Sequence, residues 1–374
     1  MHGGHIASCM CICFPFAISA NPPRRRLRQQ GFLPRMLAKP TGVTCLTWSG
    51  KKVVVTGAGG FIGSHLVEAL VAAGAETTAI VRYNSGSLIG NLAFLDAASR
   101  KAVRVVSGNI EDSDFVYQTI KGQDIVLHLA ALIAIPYSYE APRSYVRANI
   151  EGTLNVLEAA RRYDIARVVH TSTSEVYGTA VTTPIDENHP LQGQSPYSAS
   201  KIAADKLAES YYRSFGTPVT TLRPFNTFGP RQSARAFIPT IISQALERDE
   251  IRLGSLTPER DMTFVSDTVA GFMAAATAPG IEGMTINLGT GKTYSVGWFA
   301  IRILDLMALE KPIIQEEQRF RPALSEVMTL VSDNTRARDK MGWSPKISLD
   351  DGLRRSIEFV RMHRSFYQTD GYVR

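Results

Sequence analysis

A short β-branched run that ends in spaced glycines constrains this chain more than any other feature in it. Residues Lys51-Lys-Val-Val-Val-Thr-Gly-Ala-Gly-Gly-Phe-Ile-Gly63 read as a strand, a turn and the start of a helix. Val53 to Val55 suits a buried parallel strand, which carries apolar side chains on both faces. Gly57 permits the tight turn, Gly60 lets the backbone approach a pyrophosphate, and Gly63 allows close packing of helix on strand. The helix, expected from Phe61 to Ala73, would aim the amides of Phe61 and Ile62 at phosphates from its positive dipole end. A second strand, Thr77 to Val81, follows at the distance of a βαβ unit. A glycine-rich turn without a ligand is the bland alternative, and the flanking strand and helix count against it.

The body continues that alternation. Strands are expected at Lys52–Thr56, Thr77–Val81, Val103–Ser107, Ile125–Leu129, Arg167–Thr171 and Val219–Arg223, with helices between them that include Pro142–Arg162 and Tyr197–Phe215. This is the pattern of an α/β fold with a doubly wound parallel sheet, a Rossmann domain. After Pro224 the pattern loosens, which predicts a smaller C-terminal substrate-binding lobe over the carboxyl ends of the strands. The expected organisation is a non-catalytic, disordered extension over 1–50 and a nucleotide-binding domain over 51–225 with a return segment near 261–288. A partly interleaved substrate lobe over 226–360 and a tail over 361–374 complete it.

Composition narrows the function classes. The chain has 374 residues, 44% of them hydrophobic, enough for a large core and two lobes. No apolar stretch is long and clean enough to span a bilayer. The net charge of +7 is misleading: residues 1–50 hold five arginines and Lys39 with no acid, leaving about +1 for the rest. The body therefore has no basic excess for nucleic acid or membrane. All four cysteines, Cys9, Cys11, Cys13 and Cys45, also lie in the first 50 residues. The body can use neither disulfides nor a thiol nucleophile, and we expect a cytoplasmic protein. Ile6 to Ala20 resembles a signal-peptide core, but no Lys or Arg precedes it. His2 and His5 with alternate cysteines match no familiar zinc spacing, so no metal is expected. A disordered extension read from an upstream start is the third reading, and the one favoured by the abrupt change near Trp48.

The chemistry is carried by Ser195-Pro-Tyr-Ser-Ala-Ser-Lys201. Tyr197 and Lys201, four apart on a helix, share one face. The ammonium would lower the phenol's pKa, so that a phenolate can take a proton from an alcohol near neutral pH. Downstream of a nucleotide-binding turn, this pair reads as alcohol oxidation by a nicotinamide cofactor. The strand Arg167–Thr171 runs into Ser172-Thr-Ser-Glu-Val-Tyr-Gly178, delivering a hydroxyl and a carboxylate to the sheet's carboxyl edge. Thr173 can orient the hydroxyl that Tyr197 deprotonates. Glu175 is a candidate general acid or base, its pKa expected to be raised by partial burial.

Thr56-Gly-x-x-Gly-x-x-Gly63, Thr173 and Tyr197/Lys201 resemble the extended short-chain dehydrogenase/reductase superfamily, in its nucleotide-sugar branch. His128-Leu-Ala-Ala131, Asn149-Ile-Glu-Gly-Thr153, Arg223-Pro-Phe-Asn226, Arg260-Asp-Met-Thr-Phe-Val-x-Asp267, Asn287-Leu-Gly-Thr-Gly291 and Gly342-Trp-x-Pro345 extend the match over nearly all of 50–360. Pro224–Arg235 and Leu253–Pro258 are similar to a narrower group, the 4,6-dehydratases of N-acetylhexosamine nucleotides, including those of legionaminic-acid formation. The resemblance implies oxidation at C4, proton removal at C5 by Glu175, loss of the C6 hydroxyl as water and return of hydride to C6. Many glucose-type dehydratases carry Asp-Glu where this chain has Ser174-Glu175, so Glu175 would serve as both base and acid. The Thr-Ser-Glu pattern is also similar to UDP-glucuronate decarboxylases. A 4-epimerase and a non-catalytic NAD(P)-sensing protein are further alternatives.

The resemblance also implies cofactor contacts from Asn109, Ile110, Leu129, Ala130 and Ala131, and a homodimer built on the helices over 141–162 and 197–215. Strand two ends Ile80-Val-Arg-Tyr-Asn-Ser85, without the acid that usually holds the adenosine ribose. Arg82, with Asn84 and Ser85, can grip a 2′-phosphate, which favours NADP; an arginine stacked on adenine with NAD bound is the alternative. For the nucleotide sugar, the resemblance puts Asn226 near the diphosphate, Arg260 and Arg321 as phosphate clamps, and Arg231 and Arg235 as further candidates.

Overall fold

The computed structural model describes residues 48–367. Our readings of His2, His5, the four cysteines and the apolar run Ile6 to Ala20 lie outside the described residues, as does the tail beyond 367.

Six strands open the chain: β1 (Lys52–Thr56), β2 (Glu76–Arg82), β3 (Arg104–Gly108), β4 (Ile125–His128), β5 (Arg167–Thr171) and β6 (Val219–Pro224). The short strands β7 (Asn226–Phe228), β8 (Ile251–Leu253), β9 (Glu259–Arg260) and β10 (Met262–Phe264) follow. After them β11 (Thr285–Leu288) rejoins the main sheet. Its order, β11-β6-β5-β4-β1-β2-β3, is parallel throughout. The order reverses between β1 and β4, so their carboxyl ends form the crevice where ligands of such sheets bind.

The helices are α1 (Phe61–Ala72), α2 (Ala97–Ala102), α3 (Ser113–Ile120), α4 (Ile135–Glu140), α5 (Pro142–Tyr145), α6 (Gly152–Arg162) and α7 (Pro196–Phe215). The later ones are α8 (Phe237–Glu247), α9 (Val265–Thr277), α10 (Val296–Met307), α11 (Thr335–Met341), α12 (Leu349–Met362) and α13 (Arg364–Tyr367). β1 shows why both faces of the sheet need cover. Val53 and Val55 pack into one core with Leu66 and Leu70 of α1, while Val54 faces a second core with Val116 of α3, Val156 of α6 and Ala208 of α7. Fully burying one such side chain is worth roughly 1.5–3 kcal/mol, so a charge on either side of β1 would be costly.

The single helix expected over Pro142–Arg162 is interrupted. Residues Val146–Glu151 widen into a π turn between α5 and α6. The side chain of Asn149, inside that turn, exchanges two hydrogen bonds with the Leu132 backbone (2.8 and 3.0 Å) and donates to Ser200 Oγ of α7 at 2.9 Å. Sequence periodicity cannot register one extra residue per turn, and such bulges concentrate at functional sites.

Two small sheets build the wall over the crevice. β12 (Tyr294–Ser295) pairs antiparallel with β9, β13 (Ile313–Gln315) pairs with β8, and β14 (Thr329–Leu330) runs parallel to β9. β7 and β10 pair in parallel, so Asn226 stands opposite Met262, two residues from Arg260.

Candidate active site

At the switch point the glycines act sterically. Gly57 has φ +69°, and a Cβ there would come within 2.8 Å of the Ala130 backbone nitrogen. A Cβ on Gly63 would approach Gly57 O to 2.3 Å, so α1 can lie this close to the turn only with glycine. Gly60 caps α1 without a side-chain hydrogen bond. The first-turn amides, Phe61 and Ile62 among them, therefore have no intrahelical acceptor and suit an anion.

Beneath the turn, the Thr56 hydroxyl accepts from the amides of Leu129 and Ala130 at 3.1 and 3.0 Å and lies 2.8 Å from His128 Nδ1. Its own proton is left for His128, so Nδ1 accepts and Nε2–H faces Thr153 Oγ1 at 3.0 Å. Thr153 donates onward to Asn149 O at 2.6 Å. This assignment needs a neutral ring. Burial, reinforced by the charges of His170 and Lys201, holds His128 well below the usual histidine pKa.

Helix α7 starts on a reciprocal cap between Ser195 and Ser198, with Pro196 in its first turn. That start fixes Tyr197 and Lys201 against β5. Tyr197 is buried edge-on to Tyr145, ring centroids 6.2 Å apart. Thr173, two residues past β5, caps a 3₁₀ turn over Ser174–Tyr177, its hydroxyl accepting from the Glu175 amide at 3.2 Å. Burial raises the Tyr197 pKa above the ordinary phenol value; the Thr173 hydrogen bond draws it down and the Glu175 charge pushes it up. Thr173, Glu175 and Tyr197 are thus brought to one place, with Glu175 half-buried.

One sequence expectation changes here. The Lys201 ammonium donates to the Thr171 carbonyl at 2.7 Å, and burial outweighs every influence that lowers the phenol's pKa. The lysine is itself lowered to about 8 by burial, with Asp205 acting against that fall.

Below Lys201 lies a polar cluster that the sequence reading did not find. Asp205, one turn further along α7, accepts from His170 Nε2 at 3.1 Å, Ser172 Oγ at 2.7 Å, and Arg223 Nε and Nη2 at 3.1 and 2.9 Å. Burial pushes its pKa up, but the His170 hydrogen bond and the Arg223, His170 and Lys201 charges outweigh that and hold it at about 2. Arg223 Nη1 continues to the Tyr177 hydroxyl at 3.0 Å, which donates to Asn287 Oδ1 at 2.7 Å. The spacing from Lys201, another i to i+4 step, is the signal that could have revealed Asp205.

The arginines divide. Arg260 is buried, and its Nη2 lies 3.2 Å from Glu326 Oε1; Arg321 Nη1 lies 3.6 Å from the same oxygen. Burial lowers the Arg260 pKa and the Glu175 charge opposes it, so Arg260 belongs to the same centre as Glu175. Arg321 Nη1 is buried without a hydrogen-bond partner. Arg231 departs from expectation. Its buried guanidinium pairs with Glu68 of α1 at 3.0 Å through Nη2, while Nε and Nη1 have no hydrogen-bond partner. Asn91 Nδ2 holds the Arg231 carbonyl at 2.9 Å, fixing a left-handed backbone at φ +68°. Arg235 is exposed, with its charge acting on the Tyr145 phenol.

On the adenosine side, Arg82 is exposed at the end of β2. Asn84 does not accompany it: its amide accepts from Leu88 N at 2.8 Å and donates to Leu88 O and Arg82 O, closing its own loop. Asn109 Oδ1 accepts from Glu111 N at 3.2 Å, and Ile110 packs under Gly152.

With this geometry in place, likenesses to known proteins carry weight. The family model described as GDP-mannose 4,6 dehydratase matches residues 54–356. A UDP-glucose 4-epimerase of Mycolicibacterium smegmatis is 33% identical over 83% of this chain and 98% of its own. A dTDP-glucose 4,6-dehydratase of Streptomyces niveus is 30% identical over 85% of this chain and 95% of its own. Among solved structures, a dTDP-glucose 4,6-dehydratase from Streptomyces venezuelae with NAD bound superposes with a TM-score of 0.77 at 27% identity, covering 84% of this chain and 98% of that one. The switch-point crevice, the Thr173–Tyr197–Lys201 centre and these matches together show that the chain belongs to the GDP-mannose 4,6-dehydratase family, within the extended short-chain dehydrogenases/reductases that comprise nucleotide-sugar dehydratases and epimerases.

Proposed function

We propose that the protein is a nucleotide-sugar 4,6-dehydratase that converts an N-acetylhexosamine nucleotide to its 4-keto-6-deoxy form. The observation that carries this reading is the half-buried Glu175 carboxylate, which acts electrostatically on both Tyr197 and Arg260. A 4-epimerase needs no base at C5 and would leave that carboxylate idle.

In this reading Thr173 holds the C4 oxygen while Tyr197 takes its proton. The resulting 4-ketone acidifies C5, and Glu175 removes the C5 proton and delivers it to the departing C6 hydroxyl, which leaves as water. Ser174 is too weak an acid for that delivery. Arg260 and Arg321, with Asn226, hold the diphosphate through planar donor forks. The uncapped first turn of α1 and the glycine cradle at Gly57 fit a dinucleotide's pyrophosphate, with Leu129, Ala130 and Ala131 alongside. When bound, a nicotinamide dinucleotide supplies the oxidant for C4, the reductant for C6 and a positive ring charge near the phenol. The Streptomyces venezuelae relative binds NAD; Arg82, exposed and facing no acid in its own strand end, leaves NADP open to this chain.

The subunits pair through α6 and α7 in this reading, where Leu154, Tyr212 and Phe215 are exposed. Light scattering that gives a monomer at working concentration would reject the pairing. The activity is tested by mass spectrometry after incubation with UDP-N-acetylglucosamine, GDP-N-acetylglucosamine and UDP-glucuronate. Loss of water supports the reading. Loss of carbon dioxide would make the protein a decarboxylase, a new isomer of equal mass an epimerase, and bound cofactor without turnover a sensor.

A further inference from the structure

We propose that Asp205 is a positioning residue for the catalytic centre. Its carboxylate ties the helix bearing Tyr197 and Lys201 to the ends of β5 and β6, and supplies the buried negative charge that accompanies the Lys201 ammonium ion. The proposal rests on the reading of Tyr197 and Lys201 as the catalytic pair.

The hydrogen bonding is extensive for a buried carboxylate. Asp205 is 5% exposed, and its two oxygens receive four hydrogen bonds from three side chains: His170 and Ser172 at the end of β5, and Arg223 on β6. Ser172 is adjacent to Thr173, and Thr171, whose carbonyl holds Lys201, is adjacent to Ser172. One carboxylate therefore registers α7 against the strand end that presents Thr173 and Glu175.

The electrostatics point the same way. The titratable and charged groups that face Lys201 are Asp205 and Tyr197 on its own helix, His128 on β4 and His170 on β5, with Arg223 on β6 reached through Asp205. Burial keeps both histidines neutral, and Arg223 is positive. Among these groups Asp205 carries the negative charge, and a fully buried lysine without one titrates at roughly 5–6.

Two substitutions with opposite expected effects test this. Asp205→Asn keeps the shape and removes the charge. The Lys201 ¹⁵N resonance, identified by its loss in Lys201→Arg, and the alkaline limb of kcat/KM should both move to lower pH by roughly 1–3 units. Arg223→Leu leaves Asp205 uncompensated and should move both upward, and Asp205→Glu should restore the wild-type profile. Activity lost equally at every pH with both limbs unmoved, or shifts of the same sign in both variants, would overturn the proposal and leave Asp205 a structural group. If neither variant folds, the wild-type resonance decides: titration near 8 supports the pairing, and titration at roughly 6 or below overturns it. A wild type that turns over no nucleotide sugar defeats the functional reading instead, and the lysine titration stands independently.

Discussion

The floor of the crevice and the wall above it are built to different standards. In the floor, Thr56, His128, Thr153 and Asn149 form one satisfied chain, and Asp205, His170, Ser172 and Arg223 form another. Apart from His170 Nδ1 and the Thr171 hydroxyl, the buried polar atoms of these chains have partners. In the wall, two guanidinium groups share a single oxygen of Glu326, and Arg321 Nη1 has no hydrogen bond. An unpartnered buried donor costs about 1–3 kcal/mol until something accepts from it. The floor is therefore largely satisfied without ligand, whereas the wall keeps a buried donor unpaired. In the proposed reading, chemistry belongs to the first and binding to the second.

This contrast can be broken kinetically. Tyr197→Phe removes the proposed base, which stands on the helix that Asp205 anchors, and should lower kcat by ~10²–10⁴-fold with little change in KM. Arg321→Ala should do the reverse, raising KM about 10–100-fold, the equivalent of one charge-assisted contact of roughly 1.5–3 kcal/mol, with kcat nearly unchanged. A large kcat loss in the arginine variant would show that the wall takes part in catalysis.

The floor should also show itself in acid. His128 and His170 are buried, and burial depresses their folded pKa values below the ordinary histidine value of about 6.5. The unfolded chain binds those protons first, so stability is full above about 6.5 and falls as pH drops below it, by about 1.4 kcal/mol per pH unit for each uncompensated proton. Thermal midpoints measured from pH 8 to 5 should fall accordingly. A flat profile would contradict the neutral tautomers assigned here. The smallest effects sharpen the comparison at its edges. Arg82→Ala should weaken NADP+ more than NAD+, by roughly 1.5–3 kcal/mol in a binding titration, and equal weakening would show an arginine stacked on adenine. Ser172→Ala removes one of Asp205's four hydrogen bonds and should cost about 1 kcal/mol in denaturant unfolding.

The same contrast explains what the residues alone disclosed. Strands β1 and β5 carry the bounds their β-branched runs predict, and α7 begins one residue before the expected Tyr197, at the Pro196 that follows its serine cap. Tyr197, Lys201 and Thr173 announce themselves because their spacing is local. Asp205 stands one turn past Lys201 and was equally local, but its partners His170 and Arg223 lie on β5 and β6, and only the fold unites them. Glu326 was hidden for another reason: an acid in a loop has no period, and its meaning appears only where Arg260 and Arg321 converge. Arg231 misled because an arginine in a polar loop gives no sign that Glu68, more than 160 positions earlier, will take its charge. The fall in the Tyr197 pKa expected from Lys201 is not seen because burial raises the phenol, and a shared helical face does not disclose burial.

The central claim is that Tyr197 and Glu175 act at different stages, and one substitution tests it most directly. Glu175→Gln keeps the shape of the carboxyl group and cannot accept a proton. Mixed with an N-acetylhexosamine nucleotide, this variant should let C4 oxidation proceed and then stall. Absorbance of reduced nicotinamide should accumulate on the enzyme, and no solvent deuterium should enter C5. Release of the 4-keto-6-deoxy product at near wild-type rate, with no accumulated reduced cofactor, would contradict the account.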